Sequence, residues 1–258
     1  MTTIQLEKGN RKLEVRVAEN QMEIERTLAL RYRVFNLEMN EGLAESRLTG
    51  KDRDEYDLYC DHLIVTDKND DNRIVGTYRI LRREIARAHI GFYSENEFNL
   101  DRIYDLEGEP AEIGRSCVDP EYRDGSVISM LWVGLGNYMR VNSVRYLMGC
   151  ASIHTTDARE ASQVHAYLRE TDGFAAPGFR VEPKSKYVMP GFNADMPLDD
   201  LRAARSKVPP LLKGYLRAGA RISSGPPALD AEFGTTDFFA IFNVNEVDKR
   251  YGRHYIES

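Results

Sequence analysis

The sequence predicts a mixed α/β protein in which helices pack on a central sheet. Segments with strand-like alternation are followed by segments with helical spacing, in the order strand, helix, hairpin, strand, helix, strand, helix. Hydrophobic residues make up 42% of the 258 residues, which is enough for a substantial core. We expect one domain over residues 1–258, with a core at about 13–190 and a C-terminal extension at about 191–258.

The first two predicted elements are a strand and a helix. Residues 13–17 alternate between apolar and charged side chains, as a strand does. Asn20, with a glutamate three residues later, is typical of a helix start. Leu28, Arg31 and Phe35 then follow at helical spacing. Arg31 is therefore expected on the apolar side of this helix, among core residues.

The later elements follow the same alternation. We predict strands at 62–66, 74–81, 111–118, 146–153 and 238–244, and helices at about 128–139 and 157–169. The DKNDDN cluster between the first two of these strands indicates a hairpin turn. The tail from residue 189 is rich in Pro and Gly, and we interpret it as an extension of the same sheet.

Composition excludes several classes of protein. The net charge of −6 argues against broad nucleic-acid binding, which requires Lys and Arg to neutralise phosphates. Cys60, Cys117 and Cys150 are far apart, and the histidines lack metal-ligand spacing, so we expect no disulfide framework and no metal site. No G-x-S-x-G elbow or P-loop is present. No apolar run reaches the length of about 18 residues that spans a membrane, and the N-terminus lacks a signal-peptide block, so we expect a cytoplasmic protein.

Six charged residues lie in segments that could carry chemistry, three of them inside apolar runs. A buried charge is costly unless it is paired or used, so such positions are informative. They are Arg31, Asp54 and Asp57 in DEYD, Arg79 in IVGTYRIL, and Glu112 and Arg115 in EIGRSCV. Two interpretations stay open: these residues form structural ion pairs, or they form a catalytic site.

The catalytic interpretation assigns each charge a partner. Glu112 would take a proton from an amine that attacks a thioester, as a general base does. Asp54 or Asp57 would bind the ammonium of an amino acid, and Arg31 or Arg79 its carboxylate. The two aspartates could instead only orient Arg31.

The EIGR segment carries a geometric constraint. In a regular strand Glu112 and Arg115 face opposite sides of the sheet. Both can reach one site if a β-bulge near Gly114 shifts the alternation. We therefore predict a bulge at or beside Gly114.

The motifs RYRVF, DEYD, IVGTYRIL and EIGR, in that order, resemble a group of acyltransferases. The group comprises acyl-homoserine-lactone synthases, long-chain N-acyl amino acid synthases and ornithine N-acyltransferases, all GNAT-fold enzymes that use acyl carrier protein. The resemblance covers residues 28–153 and implies a GNAT-like fold, an acyl-carrier-protein thioester as donor, and no bound cofactor. It places the following residues at signature positions: Arg31, Phe35, Asp54, Asp57, Arg79, Glu112 and Arg115.

The tail distinguishes the members of this group. The block PPLLKGYLRAGARISSGPPALDAEFGTTDFF resembles that of the ornithine N-acyltransferases, often called hemolysin-like. Homoserine-lactone synthases lack it and carry a Trp after the R-x-x-x-F pair, whereas the single Trp here is Trp132. The resemblance implies transfer of a (3-hydroxy) fatty acyl group to the α-amino group of ornithine, giving lyso-ornithine lipid. A peripheral contact with the inner membrane is expected for such a product.

Other functions stay open at this point. They are synthesis of a homoserine-lactone-type signal, N-acylation of glycine, lysine or glutamine, and non-enzymatic binding of acyl chains. Ornithine ranks first, because its second ammonium gives the extra carboxylate at Asp54 or Asp57 a partner. No segment combines a long apolar face with a basic one, as a lytic protein requires.

The donor is expected at Val118, Arg123 and Gly125. GNAT acetyltransferases hold the coenzyme A pyrophosphate on an R-x-x-G-x-G/A loop, whereas YRDGSVISML has a single glycine. One phosphate, as in a phosphopantetheine arm, fits this loop better, although Gly125 could be only a turn residue. Acyl carrier proteins are acidic, so their docking residues are expected among Arg82, Arg83, Arg87, Arg123, Lys184 and Lys186.

Overall fold

The computed structural model describes residues 3–40, 42 and 45–246; the last part of the predicted extension, 247–258, lies outside the described residues. The strands are β1 (Ile4–Lys8), β2 (Arg11–Val17), β3 (Asp61–Asp67), β4 (Arg73–Arg82), β5 (Phe98–Asn99), β6 (Glu109–Val118), β7 (Val144–Ile153), β8 (Glu182–Pro183), β9 (Arg221–Ile222), β10 (Ala228–Asp230) and β11 (Thr235–Asn243). The helices are α1 (Gln21–Arg31), α2 (Ser46–Thr49), α3 (Arg83–Ala88), α4 (Asp101–Tyr104), α5 (Ser126–Val141), α6 (Ala158–Glu170), α7 (Leu201–Lys207) and α8 (Pro210–Ala218).

The chain divides into two compact units that alternate along the sequence. Of the described residues, the first unit holds those up to 90 and 111–144, and the second unit holds 91–110 and 145–246. The single domain expected over 1–258 stays a prediction. Among the described residues, none of the helices has the length and apolar character needed to cross a bilayer.

The first unit is built on antiparallel strands in the order β1, β2, β3, β4 and β6. The predicted hairpin is confirmed, because β3 pairs with β4 and Ile64 lies opposite Thr77. Its DKNDDN turn is fixed by Asp67, whose Oδ1 accepts from the amides of Asn69 and Lys12 at 3.0 and 3.1 Å. The strand predicted at 13–17 is part of β2.

Helices pack on both faces of these strands. On one face, Leu30 and Val34 form a buried cluster with Ile64, Ile74 and Cys117. On the other face lies α5, which approaches so closely that a side chain at Gly76 would collide with Val127. The predicted cap is also present, since the Asn20 side chain accepts from the amide of Glu23.

The second unit contains β7, paired antiparallel with β11 from Tyr146 to Ile153. β11 also pairs with β9 and β10, and one isolated parallel bridge joins Phe174 to Ile222. The strand predicted at 238–244 is thus confirmed as part of β11, so the tail does extend the sheet at β7. The helix predicted at 157–169 is α6, whose cap Asp157 accepts from two amides.

Candidate active site

Arg31 lies at the end of α1 and is completely buried. Its Nε and Nη2 donate to Asp52 Oδ1 at 2.8 and 2.6 Å. Its Nη1 donates to Asp57 Oδ1 at 2.6 Å. The chain continues beyond Arg31 as a π-helical segment, Tyr32–Glu38, whose wider turn carries Phe35. The predicted position of Arg31 on the apolar side is confirmed, and two carboxylates compensate its charge.

Asp52 connects Arg31, in the first of the predicted motifs, with Arg115, in the last. Its Oδ1 binds Arg31, and its Oδ2 accepts from Arg115 Nη2 at 2.7 Å. The Asp52 side chain has no solvent exposure. Sequence reasoning missed this residue, because it precedes the DEYD motif in an irregular segment where no periodicity marks burial. Its one signal was the local density of acids in KDRDEYD.

Asp54 and Asp57 form a capping box at the N-terminus of the short 3₁₀ helix Glu55–Leu58. Asp54 Oδ1 accepts from the amide of Tyr56, and Asp57 Oδ2 accepts from the amide of Asp54, both at 2.9 Å. Arg79 Nη1 then donates to Asp54 Oδ1 at 2.5 Å and to Asp57 Oδ1 at 3.1 Å. The loop is therefore held to β4 by charged hydrogen bonds as well as by its own backbone.

The predicted bulge is present beside Gly114. Gly114 lies opposite Arg79 and Cys117 lies opposite Thr77, so two residues of β6 face one residue of β4. Arg115, the first of these two, has a left-handed backbone with φ of +48°. This displacement lets its guanidinium reach Asp52, in the network around Arg31.

Glu112 shares a sheet face with Arg79. It lies opposite Leu81 on β4, two residues from Arg79, and side chains two apart on a strand point the same way. The charges of Glu112, Arg79, Asp54 and Asp57 all act on the Cys60 thiol. Glu112 is buried, at 7% exposure. The structure thus places Glu112 on the sheet face that carries Arg79, and its membership of one site with the acidic loop stays a prediction.

The side chains of this ion network differ in their solvent exposure. Arg31, Asp52 and Asp57 are enclosed, with side-chain exposures of 0, 0 and 1%. Arg79 is almost enclosed, whereas Asp54 is 17% and Arg115 is 21% exposed. The Arg115 guanidinium also lies 5.1 Å from the centre of the Phe35 ring. A ligand in solution can thus meet Asp54 and Arg115 without rearranging the enclosed charges.

The residues predicted to bind the donor lie before α5. Arg123 Nε donates to the Val118 carbonyl at 3.1 Å, and its two Nη atoms donate to Glu38 at 2.5 and 2.7 Å. Gly125 caps α5 with φ of +90°, a conformation that favours glycine. Their role in binding a phosphate stays a prediction.

The candidate docking cations fall in both units. Arg82 borders α3 and pairs with Glu84, and Arg83 and Arg87 lie in α3 itself. Lys184 and Lys186 belong to the second unit, where Lys186 pairs with Glu232 at 3.6 Å. Their role in docking acyl carrier protein also stays a prediction.

The Asp57 carboxylate links this network to acid stability. Burial by itself would raise the pKa of Asp57, but the charges of Arg31 and Arg79 outweigh burial and lower the pKa to about 2. A lowered pKa stabilises the fold above the unfolded-state value, and this contribution disappears as pH falls through the folded value. We expect the free energy of unfolding to decrease from about pH 4 to about pH 2.

Denaturant titrations across that pH range measure this decrease. Asp57→Asn has no titrating group at this position, so its unfolding free energy is expected to depend less steeply on pH than that of the wild type. Equal slopes for the two proteins would contradict the assignment to Asp57.

Comparison with known proteins agrees with this geometry. The family model of the acetyltransferase (GNAT) domain matches residues 30–133, a range that contains every residue of the ion network. The AHL synthase LasI has the same fold, with a TM-score of 0.52, 13% identity and coverage of 95% of both chains. The expected GNAT-like α/β fold is confirmed.

Curated relatives match along most of the chain. A protein of Brucella abortus (strain 2308) is 36% identical over 258 residues, covering 94% of this chain and 88% of the relative. A protein of Agrobacterium fabrum (strain C58 / ATCC 33970) is 35% identical, covering 94% of this chain and 85% of the relative. Both are named L-ornithine N(alpha)-acyltransferase. This chain is an acyltransferase and belongs to the L-ornithine N(alpha)-acyltransferase family.

Proposed function

We propose that this enzyme transfers a fatty acyl group from acyl carrier protein to the α-amino group of ornithine, giving lyso-ornithine lipid. The observation that carries this proposal is the graded ion network. Enclosed charges hold one carboxylate, Asp54, and one guanidinium, Arg115, at the partly exposed positions, and the buried carboxylate Glu112 shares the face of Arg79. These groups match an amino acid that carries ammonium and carboxylate charges.

Arg31 and Asp57 position the other groups in this proposal. Arg31 is enclosed and already donates to two carboxylates, so a substrate carboxylate could reach it only by displacing Asp52 or Asp57. Breaking a buried ion pair in this way is strongly unfavourable. We therefore assign the substrate carboxylate to Arg115, which is 21% exposed, and this replaces Arg31 in that role. Arg79 is only 7% exposed and also donates to two carboxylates, so it too is a positioning residue.

Glu112 acts as the general base. It accepts a proton from the acceptor ammonium, and the freed amine attacks the thioester carbonyl. The carbon–sulfur bond then breaks, and the phosphopantetheine thiolate leaves and takes up the second proton, which the nitrogen loses as the amide forms. Burial raises the pKa values of the Cys60 and Cys117 thiols to about 12. Both stay protonated at neutral pH, which favours direct transfer to the amine over a cysteine-bound acyl intermediate.

Ornithine as acceptor rests on the names of the relatives and on charge. Its side-chain ammonium gives Asp54 a partner, whereas glycine and glutamine offer none at that position. In a competition assay with equal ornithine, lysine, glycine and glutamine, and acyl carrier protein as donor, we expect acyl-ornithine to dominate the products by mass. A dominant acyl-glycine or acyl-glutamine product would contradict the charge argument.

Asp54→Asn tests the role of the carboxylate within the same assay. We expect KM for ornithine to rise while the rate with glycine changes little. The asparagine oxygen can still accept from the Tyr56 amide and from Arg79, whereas the negative charge that binds the second ammonium is lost. Replacing the donor by acyl-coenzyme A, and raising the salt concentration, tests the carrier protein. Charge-guided docking weakens with salt, so equal use of both donors at all salt concentrations would count against acyl carrier protein.

A further inference from the structure

Helices α7 and α8 of the second unit carry an unusual surplus of positive charge. Residues 201–229 contain six Lys and Arg and no Asp or Glu, in a chain whose net charge is −6. Lys207 pairs with Glu160 at 3.2 Å, and Arg221 donates to the Ala220 carbonyl. The remaining four form no ion pair with any described residue: Arg202, Arg205, Lys213 and Arg217.

Apolar side chains are exposed among these cations. Leu201, the first residue of α7, is 51% exposed, and Leu211 on α8 is 48% exposed. Each helix also has a buried residue: Ala204 on α7, and Leu212 on α8, which belongs to the core cluster that includes Phe238. The exposed leucines and arginines of the two helices are together called the α7–α8 face below: Leu201, Arg202, Arg205, Leu211 and Arg217.

We propose that the α7–α8 face binds the surface of an anionic lipid bilayer. Each Lys or Arg near such a surface gains from the negative potential of the lipid headgroups. Exposed leucines on the same helices insert into the boundary between headgroups and acyl chains, while the long stems of Lys and Arg reach back to the headgroups. Uncompensated cations interspersed with exposed leucines are the composition that this kind of contact requires.

The two helices are long enough to lie on a bilayer and too short to cross it. They have 7 and 9 residues, which corresponds to lengths of about 10 and 14 Å against a hydrocarbon core of about 30 Å. The contact is therefore peripheral. It differs from the long amphipathic segment of a lytic protein, which the sequence lacks.

An acidic protein such as acyl carrier protein is the competing occupant. The leucines favour the bilayer, because a fluid lipid surface accepts apolar side chains of any arrangement, whereas a folded partner needs a matching recess. The residues predicted to hold the donor, Val118, Arg123 and Gly125, belong to the other unit.

Vesicle flotation with the full chain tests this proposal. Vesicles of phosphatidylcholine alone are compared with vesicles of phosphatidylcholine and phosphatidylglycerol in equal parts. We expect the wild type to float with the anionic vesicles only. In R202Q/R205Q/R217Q the partition coefficient is expected to fall by about tenfold or more, and L201S/L211S is expected to lower it as well.

A matched control distinguishes the position of the removed charges from their number. The variant R26Q/R102Q/R159Q removes three exposed arginines that also lack an ion pair with any described residue. It is expected to float like the wild type. Equal loss in the two triple variants, or no flotation of the wild type, would overturn the proposal.

Measuring the affinity of the same variants for acyl carrier protein distinguishes this protein from the bilayer as the partner of the α7–α8 face. If R202Q/R205Q/R217Q keeps its vesicle binding but loses affinity for acyl carrier protein, the α7–α8 face is a protein-docking surface and the bilayer assignment is wrong. Flotation needs no catalysis, so it can fail while acyl transfer, assayed without vesicles, still supports the proposed function.

Discussion

Replacing Glu112 by Gln is expected to lower kcat by about two to four orders of magnitude and to leave the melting temperature nearly unchanged. The substitution keeps the volume and hydrogen-bonding capacity of a residue that is 7% exposed, and it removes the proposed base. General-base catalysis is worth about 10² to 10⁴ in rate. Steady-state kinetics with acyl carrier protein as donor, together with thermal unfolding of the same preparations, measure both quantities.

Glu121→Gln is the matched control for this experiment. Glu121 follows the same strand, is 68% exposed and pairs with Arg73. Its substitution is expected to change neither rate nor melting temperature. A structural role for Glu112 gives the opposite pattern, a lower melting temperature with near-normal kcat in the folded fraction, and that result would remove Glu112 from the mechanism.

Asp52→Asn is expected to have the largest effect on stability. Asp52 is fully enclosed between Arg31 and Arg115. Neutralising it leaves two guanidinium groups with reduced compensation, and that of Arg31 has no solvent exposure. Removing one partner of a buried ion pair costs about 3 to 5 kcal/mol of unfolding free energy. Urea unfolding, monitored by circular dichroism, measures this loss.

Arg53→Gln is the neighbouring control for Asp52→Asn. Arg53 is 40% exposed and pairs with Glu25 on the surface, where water screens the pair. Its substitution is expected to leave the urea midpoint nearly unchanged. Similar midpoints for Asp52→Asn and the wild type would show that the enclosed network does not hold the fold together.

Several features of the site could be predicted because local rules determine them. Helical spacing places Arg31 on the buried side of α1, and strand alternation requires a bulge if Glu112 and Arg115 serve one site. The same kind of reasoning finds the caps at Asn20 and Asp157. In each case the signal lies within a few residues of the feature.

Other features depend on contacts between distant segments. Asp52 is buried because its loop returns beneath Arg31, 21 residues away in sequence, and no local pattern reveals that return. The prediction that Arg31 binds the substrate carboxylate has the same cause, because its two carboxylate partners are recognisable only in the folded chain. The short elements α2, α3, α4, β5 and β8 also escaped prediction, because they hold too few residues for a period to develop.

The backbone of Arg115 shows that main-chain strain and side-chain contacts make opposite demands at one position. A left-handed φ of +48° costs a residue with a side chain roughly 1 to 2 kcal/mol, a cost that glycine avoids. Glycine there would relieve this strain, but it would also remove a guanidinium that compensates the enclosed carboxylate of Asp52. Arginine occupies the position instead, and its guanidinium contacts both Asp52 and Phe35. A redesign that scores backbone strain alone would therefore delete a guanidinium from the ion network, together with the group proposed above to bind the substrate carboxylate.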